Sequence, residues 1–158
     1  MASGNSDLTK FTVVLPTYNE VENVSRMVEE LFRLYPGISV SVIDDCSNDG
    51  TIEAVLALQK KHGRLALMRR DPAKKGLTAS LMDGISSVKT DFYIVMDADF
   101  QHPPVSVGDL MEKISGGADL VVGVRVTKGP LTLPRRIASG GAHKLAATYL
   151  WLRRKRSF

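Results

Sequence analysis

The sequence predicts an α/β protein built on an open, mostly parallel β-sheet, and two observations support this fold class. Five short apolar runs lack a polar/apolar alternation, which is typical of parallel strands covered on both faces. Segments with helical spacing separate the runs, so strands and helices alternate along the chain. The runs are Phe11–Leu15, Ser39–Ile43, Leu65–Met68, Phe92–Met96 and Leu120–Val124.

Four helices are predicted between these runs. The first follows Asn19, which with Glu22 has the spacing of a capping box, and it ends at Pro36-Gly37. The other three are predicted over Thr51–Lys61, over Leu77–Val88, and between Pro103-Pro104 and Gly116-Gly117.

The chain has 158 residues, a length that suits one domain with a sizeable core. We expect a disordered N-terminal segment over residues 1–9, an α/β domain over 10–126, and a loop followed by a basic C-terminal helix over 127–158. The net charge of +4 permits an acidic ligand or a membrane surface without requiring either. Cys46 is the only cysteine, which excludes an intrachain disulfide. No signal peptide or membrane span is predicted, so we expect a soluble or peripheral protein.

Polar residues gather where the predicted strands end. The first run leads into Pro16–Glu20, the second into Asp44–Gly50, the fourth into Asp97–Gln101 and the fifth into Arg125. Right-handed crossovers place these ends on one edge of the sheet, where open α/β proteins bind their ligands. That edge therefore collects carboxylates, an aromatic ring, an amide and an arginine, and it predicts a ligand site.

The carboxylates at this edge suggest a metal ion. Asp44 and Asp45 directly follow an apolar strand, where they repel each other unless something compensates, so Asp45→Asn is expected to leave the apo stability unchanged or to raise it. Asp99 and Gln101 alternate by two and face one side of an extended segment, with Asp97 close by. Carboxylate and amide oxygens suit Mg²⁺ or Mn²⁺, which also bind substrate phosphates. The pattern predicts a metal and diphosphate site.

Part of this pattern also has a purely structural explanation. Asn48 and Asp49 are typical of helix N-caps, and Asp49-Gly50 is a common turn pair. Taken alone, the Asp97-Ala98-Asp99 motif is weak, and solvated residues at a strand end explain it as well. The sequence lacks both GxGxxG after the first strand and GxxxxGK[ST], which excludes a dinucleotide fingerprint and a P-loop.

Five segments follow one another in a characteristic order and spacing: VVLPTYNE, VIDDCSNDGT, KGLTAS, DADFQHPP and VVGVR. Together they resemble family 2 glycosyltransferases, and most of all the dolichol-phosphate mannosyltransferases and other polyprenol-phosphate glycosyltransferases. The likeness covers residues 10–150 of the chain. It implies the glycosyltransferase-A fold, a Rossmann-like, mostly parallel sheet that binds nucleotide sugars.

The resemblance also implies roles for individual residues. It places Tyr18 near the base, Ile43 and Asp45 near base and ribose, and Asp44 behind them. It makes Asp97, Asp99 and Arg125 catalytic. Asp97, Asp99 and Gln101 would hold the Mg²⁺ or Mn²⁺ ion. The nucleotide-sugar contacts would be Pro16, Tyr18, Glu20, Ile43, Asp44, Asp45, Asp97, Ala98, Asp99, Arg125 and Arg136.

The activity that the resemblance implies is metal-dependent, inverting transfer of a hexose to a polyprenyl (dolichyl) phosphate, with mannose from GDP-mannose favoured. A glucosyltransferase, another family 2 transferase with a different donor or acceptor, and a nucleotide-binding module without turnover stay open. A receiver domain is disfavoured, because in receiver domains the acidic pair follows the first strand, whereas Asp44 and Asp45 follow the second.

The implied setting is the cytosolic face of a membrane, where the protein would be cytoplasmic and peripheral. The basic C-terminal helix fits anionic headgroups and equally fits a solvated helix packed on the sheet. A membrane-embedded partner subunit stays open, and no nucleic-acid partner is expected. Family members continue with further C-terminal elements, so nucleotide binding and turnover are expected to separate in this chain.

Overall fold

A computed structural model describes residues 7–124 of the chain, and the predictions for residues 1–6 and 125–158 lie outside this range. The predicted boundary between residues 126 and 127 is among them. The chain divides into two compact units, Met1–Val122 and Gly123–Phe158. All the strands and helices of the described residues belong to the first unit.

Strands and helices alternate through the described residues. The strands are β1 (Phe11–Thr17), β2 (Ser39–Asp44), β3 (Leu65–Arg69) and β4 (Phe92–Val95). The helices are α1 (Val21–Leu34), α2 (Thr51–Gln59), α3 (Leu77–Ser87) and α4 (Ser106–Ser115). All strand pairs are parallel and the order across the sheet is β3-β2-β1-β4. The predicted α/β class with a parallel sheet is therefore confirmed.

The central position of β1 determines where the polar residues meet. β1 pairs with β2 on one side and with β4 on the other. In the register of the first pair, Thr17 lies opposite Asp44, so the two strands end at the same level. The segments that follow these strands consequently leave the sheet side by side, as right-handed crossovers require.

The core lies between the sheet and its helices. α1 buries Val24, Met27, Val28 and Leu31, and this i, i+3, i+4, i+7 spacing places all four side chains on one helix face. They pack with the buried side chains of the strands in a single hydrophobic cluster. Burial of this stripe orients α1 so that its first turn lies at the end of β1.

Helix α3 approaches the sheet closely because it carries a glycine where it packs. A Cβ at Gly84 would lie 2.8 Å from Cγ1 of Ile43 and 2.9 Å from Cγ1 of Val14. Only a residue without a side chain allows this distance between helix and sheet. The same helix brings its first turn, with Leu77, to the edge where β1 and β2 end.

The predicted fifth strand is wrong. Leu120–Val124 has no strand conformation, and Leu120 and Val122 are 79% and 71% exposed. β4 is the edge strand of the described sheet, and Tyr93 on it is half exposed. An apolar run becomes a strand only when a neighbour supplies ladder hydrogen bonds and packing, and its composition alone does not guarantee one.

Regular structure begins nearer to the N-terminus than predicted. Leu8–Lys10 form a turn of 3-10 helix, and the Asp7 carboxylate accepts a hydrogen bond from the Thr9 N–H at 3.1 Å. Leu8 packs against the core. The prediction of disorder is therefore wrong for residues 7–9. Within residues 7–124, no helix has the length and apolar character needed to cross a membrane.

Candidate active site

A cleft of about 320 Å³ lies at the carboxyl end of the sheet. Its walls come from the segments after β1, β2 and β4 and from the start of α3. Ten residues of the described range line it, of which seven were predicted as site residues, and the other three are Thr17, Leu77 and Ser80. The seven predicted lining residues are Pro16, Tyr18, Glu20, Asp45, Asp97, Ala98 and Asp99.

A second groove, of about 450 Å³, runs between α1 and α2. Its described lining combines Ala54, Ala57 and Leu58 of α2 with four polar or charged residues, Ser25, Arg26, Glu29 and Lys61. Glu29 is its one carboxylate, and Lys61 lies 3.4 Å from it as an ion-pair partner. Within residues 7–124, none of the predicted site residues lines this groove, whereas seven of them line the smaller cleft.

Asn19 ties the loop after β1 to the loop after β2. Its φ of 56° lies in the left-handed region, which asparagine tolerates better than most residues. Its N–H donates to Ser47 Oγ at 2.8 Å, and its Oδ1 accepts from the Asn48 N–H at 3.1 Å. The predicted capping box of Asn19 and Glu22 is wrong. The N–H and Oδ1 of Asn19 both bond to the neighbouring loop, and Glu20 occupies the N-cap position of α1.

Asp49 serves the first turns of two helices at once. Its Oδ1 accepts from the N–H and the hydroxyl of Thr51 at 3.0 and 2.6 Å, and its Oδ2 accepts from the Val21 N–H at 3.0 Å. The Thr51 hydroxyl also accepts from the Glu20 N–H at 2.9 Å. The Thr51 hydrogen bond is the main reason that the pKa of Asp49 is lowered. Asp49 is not the N-cap residue of either helix, since Gly50 precedes α2 and Glu20 precedes α1. It nevertheless accepts the first N–H of each helix, so its structural role is wider than the predicted cap.

Asp44 lies beneath the cleft and does not line it. It is fully buried, and its carboxylate accepts from the Thr17 hydroxyl at 3.1 Å and from the Ser47 hydroxyl and N–H at 2.6 and 2.8 Å. Ile43 is equally buried and packs under α3. Neither side chain lines the cleft, because both point into the protein from a strand covered on both faces. Asp44 lies behind the lining residues, as predicted, and direct ligand contacts of Ile43 and Asp44 stay predictions.

Asp45 does line the cleft, and Arg70 neutralises it. The Arg70 guanidinium donates through Nη1 to Asp45 and through Nε to Asp83 at 2.9 Å. Its side chain is only 2% exposed, and its hydrogen bond to Asp83 does most to raise its pKa. The sequence leaves open what compensates the repulsion between Asp44 and Asp45. For Asp45 the compensating charge is that of Arg70. The only feature of the sequence that could have pointed to Arg70 is its position directly after β3.

The loop before α3 completes this corner of the cleft. Gly76 has a φ of 141°, which only glycine adopts readily, and its N–H donates to Asp45 Oδ2 at 2.8 Å. Lys75 precedes it, and its Nζ lies 5.4 Å from the centroid of the Tyr18 ring. Tyr18 is 56% exposed, so its ring is accessible to a ligand.

The segment after β4 turns sharply and is not extended, contrary to the prediction from sequence. Phe100 has a φ of 60°, and the Gln101 N–H donates to Asp99 Oδ1 at 2.9 Å across the turn. Asp97 donates its N–H to His102 Nδ1 at 3.3 Å. Asp97 and Asp99 line the cleft, but Gln101 does not, because the turn removes the alternation that would have placed it beside Asp99.

The donor set suits a hard divalent cation that shares its coordination with a ligand. Among residues 7–124 no group of three or more His, Cys, Asp or Glu side chains is arranged to hold a metal ion. Asp97 and Asp99 supply two carboxylates on one cleft wall. Mg²⁺ and Mn²⁺ are commonly held by one or two carboxylates, with water and substrate phosphates completing the shell. The two residues therefore fit such an ion and do not fit a closed zinc site.

Comparison with known proteins identifies the family. Residues 12–157 match the model of glycosyl transferase family 2. The chain belongs to this family. It is 36% identical over 122 residues to a dolichol-phosphate mannosyltransferase of Pyrococcus furiosus, covering 76% of this chain and 34% of the relative. It is 32% identical over 148 residues to a dolichol-phosphate mannosyltransferase of Mycosarcoma maydis, covering 85% of this chain and 50% of the relative.

Solved structures show the same fold. The mannosyltransferase PcManGT of Pyrobaculum calidifontis, in complex with GDP-Man and Mn²⁺, matches 57% of this chain and 27% of its own with 28% identity and a TM-score of 0.50. Glucosyl-3-phosphoglycerate synthase of Mycobacterium tuberculosis, in complex with UDP, matches 74% of this chain and 45% of its own with 22% identity and a TM-score of 0.60. The predicted glycosyltransferase-A fold is confirmed. The chain spans half or less of the length of these relatives.

Proposed function

We propose that the cleft binds a nucleotide sugar, with GDP-mannose the favoured donor, together with Mg²⁺ or Mn²⁺. The observation that carries this proposal is that Tyr18 and Glu20, Asp45, and Asp97 and Asp99, from three strand ends, line one cleft. Family membership supports it, and so do the relatives named dolichol-phosphate mannosyltransferase. A neighbour solved with GDP-Man and Mn²⁺ supports the choice of donor and metal.

Different cleft residues would contact different parts of the ligand. The exposed Tyr18 ring offers a stacking surface for the base, and the Asp45 carboxylate, held by Arg70 and Gly76, offers a fixed hydrogen-bond acceptor for base or ribose. Asp97 and Asp99 would hold the metal ion at the diphosphate end. When bound, the ion neutralises negative charge on the departing nucleoside diphosphate.

The proposed reaction moves mannose to a polyprenyl (dolichyl) phosphate. The acceptor is a phosphate monoester with a second pKa near ~6, so it is largely ionised at neutral pH and needs little help from a general base. Its oxygen would attack the anomeric carbon in line with the departing diphosphate, which inverts that carbon. Arg125 and Arg136, outside the described residues, are proposed to contact the diphosphate or the acceptor phosphate.

The location of the protein is part of the same proposal. A polyprenyl acceptor stays in the membrane, so we place the protein peripherally on the cytosolic face, with a membrane-embedded partner subunit as one way to retain it there. The basic residues near the C-terminus would favour anionic headgroups. Nothing in the proposal calls for a nucleic acid.

Calorimetry with the parent protein and Asp99→Ala tests the donor site. We expect the parent to bind GDP in the presence of Mn²⁺, to lose most affinity in EDTA, and to prefer GDP to UDP. Asp99→Ala should bind GDP with no Mn²⁺ dependence. Asp91→Ala is the matched control, since Asp91 is an exposed acid paired with Lys10 at the opposite end of β4. Equal Mn²⁺-dependent affinity in Asp99→Ala and the parent would contradict the metal assignment.

A transfer assay separates the remaining alternatives. Radiolabelled GDP-mannose and UDP-glucose are each incubated with dolichyl phosphate, and the lipid product is extracted into organic solvent. Label carried into the lipid by GDP-mannose supports the proposal, and label carried by UDP-glucose alone indicates a glucosyltransferase. Binding without transfer by the full-length protein would indicate a nucleotide-binding module.

A further inference from the structure

Phe100 turns the chain between Asp99 and Gln101 in a conformation that needs support. Its φ of 60° lies in the left-handed region, which is rare for a bulky side chain and costs energy. Such a residue keeps its conformation only when its surroundings hold it. Two contacts do so: the ring packs against the hydrophobic core, and the guanidinium carbon of Arg26 lies 4.6 Å from its centroid.

Arg26 reaches this ring from α1. The helix starts directly after Glu20, which lines the cleft, and Arg26 follows in the second turn. Arg26 does not line the cleft itself, and its exposed side chain lines the groove between α1 and α2. The contact with Phe100 is the direct link between Arg26 and the segment that carries Asp99.

The turn at Phe100 determines how Asp99 faces the cleft. The Gln101 N–H donates to Asp99 Oδ1 across this turn, and this hydrogen bond fixes the orientation of the Asp99 carboxylate. If Phe100 relaxes to a negative φ, the turn opens and Asp99 loses this orientation. The apparent affinity for a ligand falls with the fraction of molecules in the competent conformation.

Resting on the proposed function, we infer that Arg26 is a positioning residue for the candidate metal site: its cation–π contact with Phe100 holds the turn that presents Asp99 to the cation. Because the contact is exposed, its loss should weaken metal-dependent binding by about two- to fivefold, in line with the usual strength of exposed cation–π pairs. It should not abolish binding.

The first test needs no ligand. Solvent exchange of the Gln101 amide is measured by NMR in the parent, Arg26→Met, Arg26→Lys and Arg33→Met. Arg33 is the matched control because it lies on α1 and pairs with Glu30 at 2.7 Å, away from Phe100. We expect faster exchange in Arg26→Met, the parent rate in Arg33→Met, and a return toward that rate in Arg26→Lys. An unchanged rate in Arg26→Met would overturn the inference.

The second test measures GDP binding with Mn²⁺ by calorimetry in the same variants and in Phe100→Leu. Arg26→Met should bind about two- to fivefold more weakly than the parent, and Arg26→Lys should regain part of the loss. Arg26→Met added to Phe100→Leu should have no further effect, because the ring is already gone. Faster Gln101 exchange with unchanged affinity would overturn the functional role of Arg26. Absence of GDP binding by the parent would overturn the proposed function instead, and the exchange test still decides whether Arg26 holds the turn.

Discussion

Arg70 joins Asp45, at the end of β2, to Asp83 on α3. Its guanidinium donates to both carboxylates, and its side chain is almost completely buried. Removal of one charge from such a network leaves the remaining partner less compensated, which outweighs any relief of repulsion between Asp44 and Asp45. We therefore predict that Asp45→Asn lowers the free energy of unfolding by about 1–3 kcal/mol, contrary to the expectation from sequence.

Urea unfolding at pH 7 of the parent, Asp45→Asn and Asp91→Asn measures this effect. Asp91 pairs with Lys10 at 3.5 Å at the surface, and its replacement should change stability little. An Asp45→Asn variant as stable as the parent would show that Asp83 alone compensates Arg70.

Asp49 makes part of the stability depend on acid pH. The pKa of Asp49 is lowered in the folded protein from an ordinary value near 3.8, chiefly because its carboxylate accepts from Thr51. A carboxylate with a lowered pKa stabilises the folded state fully above its unfolded pKa, and this contribution is lost as the pH falls from that value through the lower pKa of the folded state. We predict that Asp49→Asn is less stable than the parent at pH 7 and that the difference shrinks at pH 3.

The reason lies in the acceptors. Asp49 uses both oxygens, one for Thr51 and one for the Val21 N–H, whereas asparagine offers one oxygen and an amide that cannot accept. Protonation of Asp49 in acid removes an acceptor in much the same way. Urea midpoints of both proteins at pH 7 and pH 3 measure the gap. A gap of the same size at both pH values would show that the charge of Asp49 is unimportant.

Much of this fold is predictable because periodicity reports burial. The apolar runs that became β1 to β4 and the stripe of α1 follow directly from the need to cover both faces of a parallel sheet. Leu120–Val124 is also a short apolar run but does not form a strand. Strand formation depends on a neighbouring strand, which composition does not reveal.

The site was predicted less completely than the fold, and the reasons are local. Tyr18 and Asp45 follow strand ends and line the cleft, as expected. Which residue of a strand end faces the cleft depends on one residue of register, and Asp44 points inward. Arg70 was missed because a single arginine carries no pattern. Gln101 was misplaced because a positive φ at Phe100 is not encoded by a typical turn residue.

Gly84 tests how closely α3 must approach the sheet. In Gly84→Ala the new methyl group would lie less than 3.0 Å from side-chain carbons of Ile43 and Val14. Alanine favours a helix over glycine by about 1 kcal/mol, but overpacking of a core costs roughly 1–3 kcal/mol. We predict a net destabilisation of about 1–2 kcal/mol, since two branched side chains of the sheet cannot both move.

Gly63→Ala is the control for this substitution, because a Cβ at Gly63 would meet no atom within 4 Å. Thermal unfolding of both variants compares a buried glycine with an open one. A Gly84→Ala protein as stable as the parent would mean that α3 shifts freely, and with it Leu77 and Ser80 in the cleft wall.

Tyr18 tests whether the two ends of the cleft act independently. If the base stacks on its exposed ring, Tyr18→Ala should weaken GDP binding by roughly 5- to 100-fold, as is usual for loss of one base–aromatic stack, and Tyr18→Phe should retain most of the affinity.

Because the base and the diphosphate lie at opposite ends of the ligand, the ratio of the GDP affinities of the parent and Tyr18→Ala should be the same with Mn²⁺ as with EDTA. Asp99→Ala should differ from the parent only when Mn²⁺ is present. Calorimetric titration of GDP into the four proteins under both conditions measures these ratios. A Tyr18→Ala effect that appears only with Mn²⁺ would place Tyr18 at the diphosphate end and reverse the proposed orientation of the ligand.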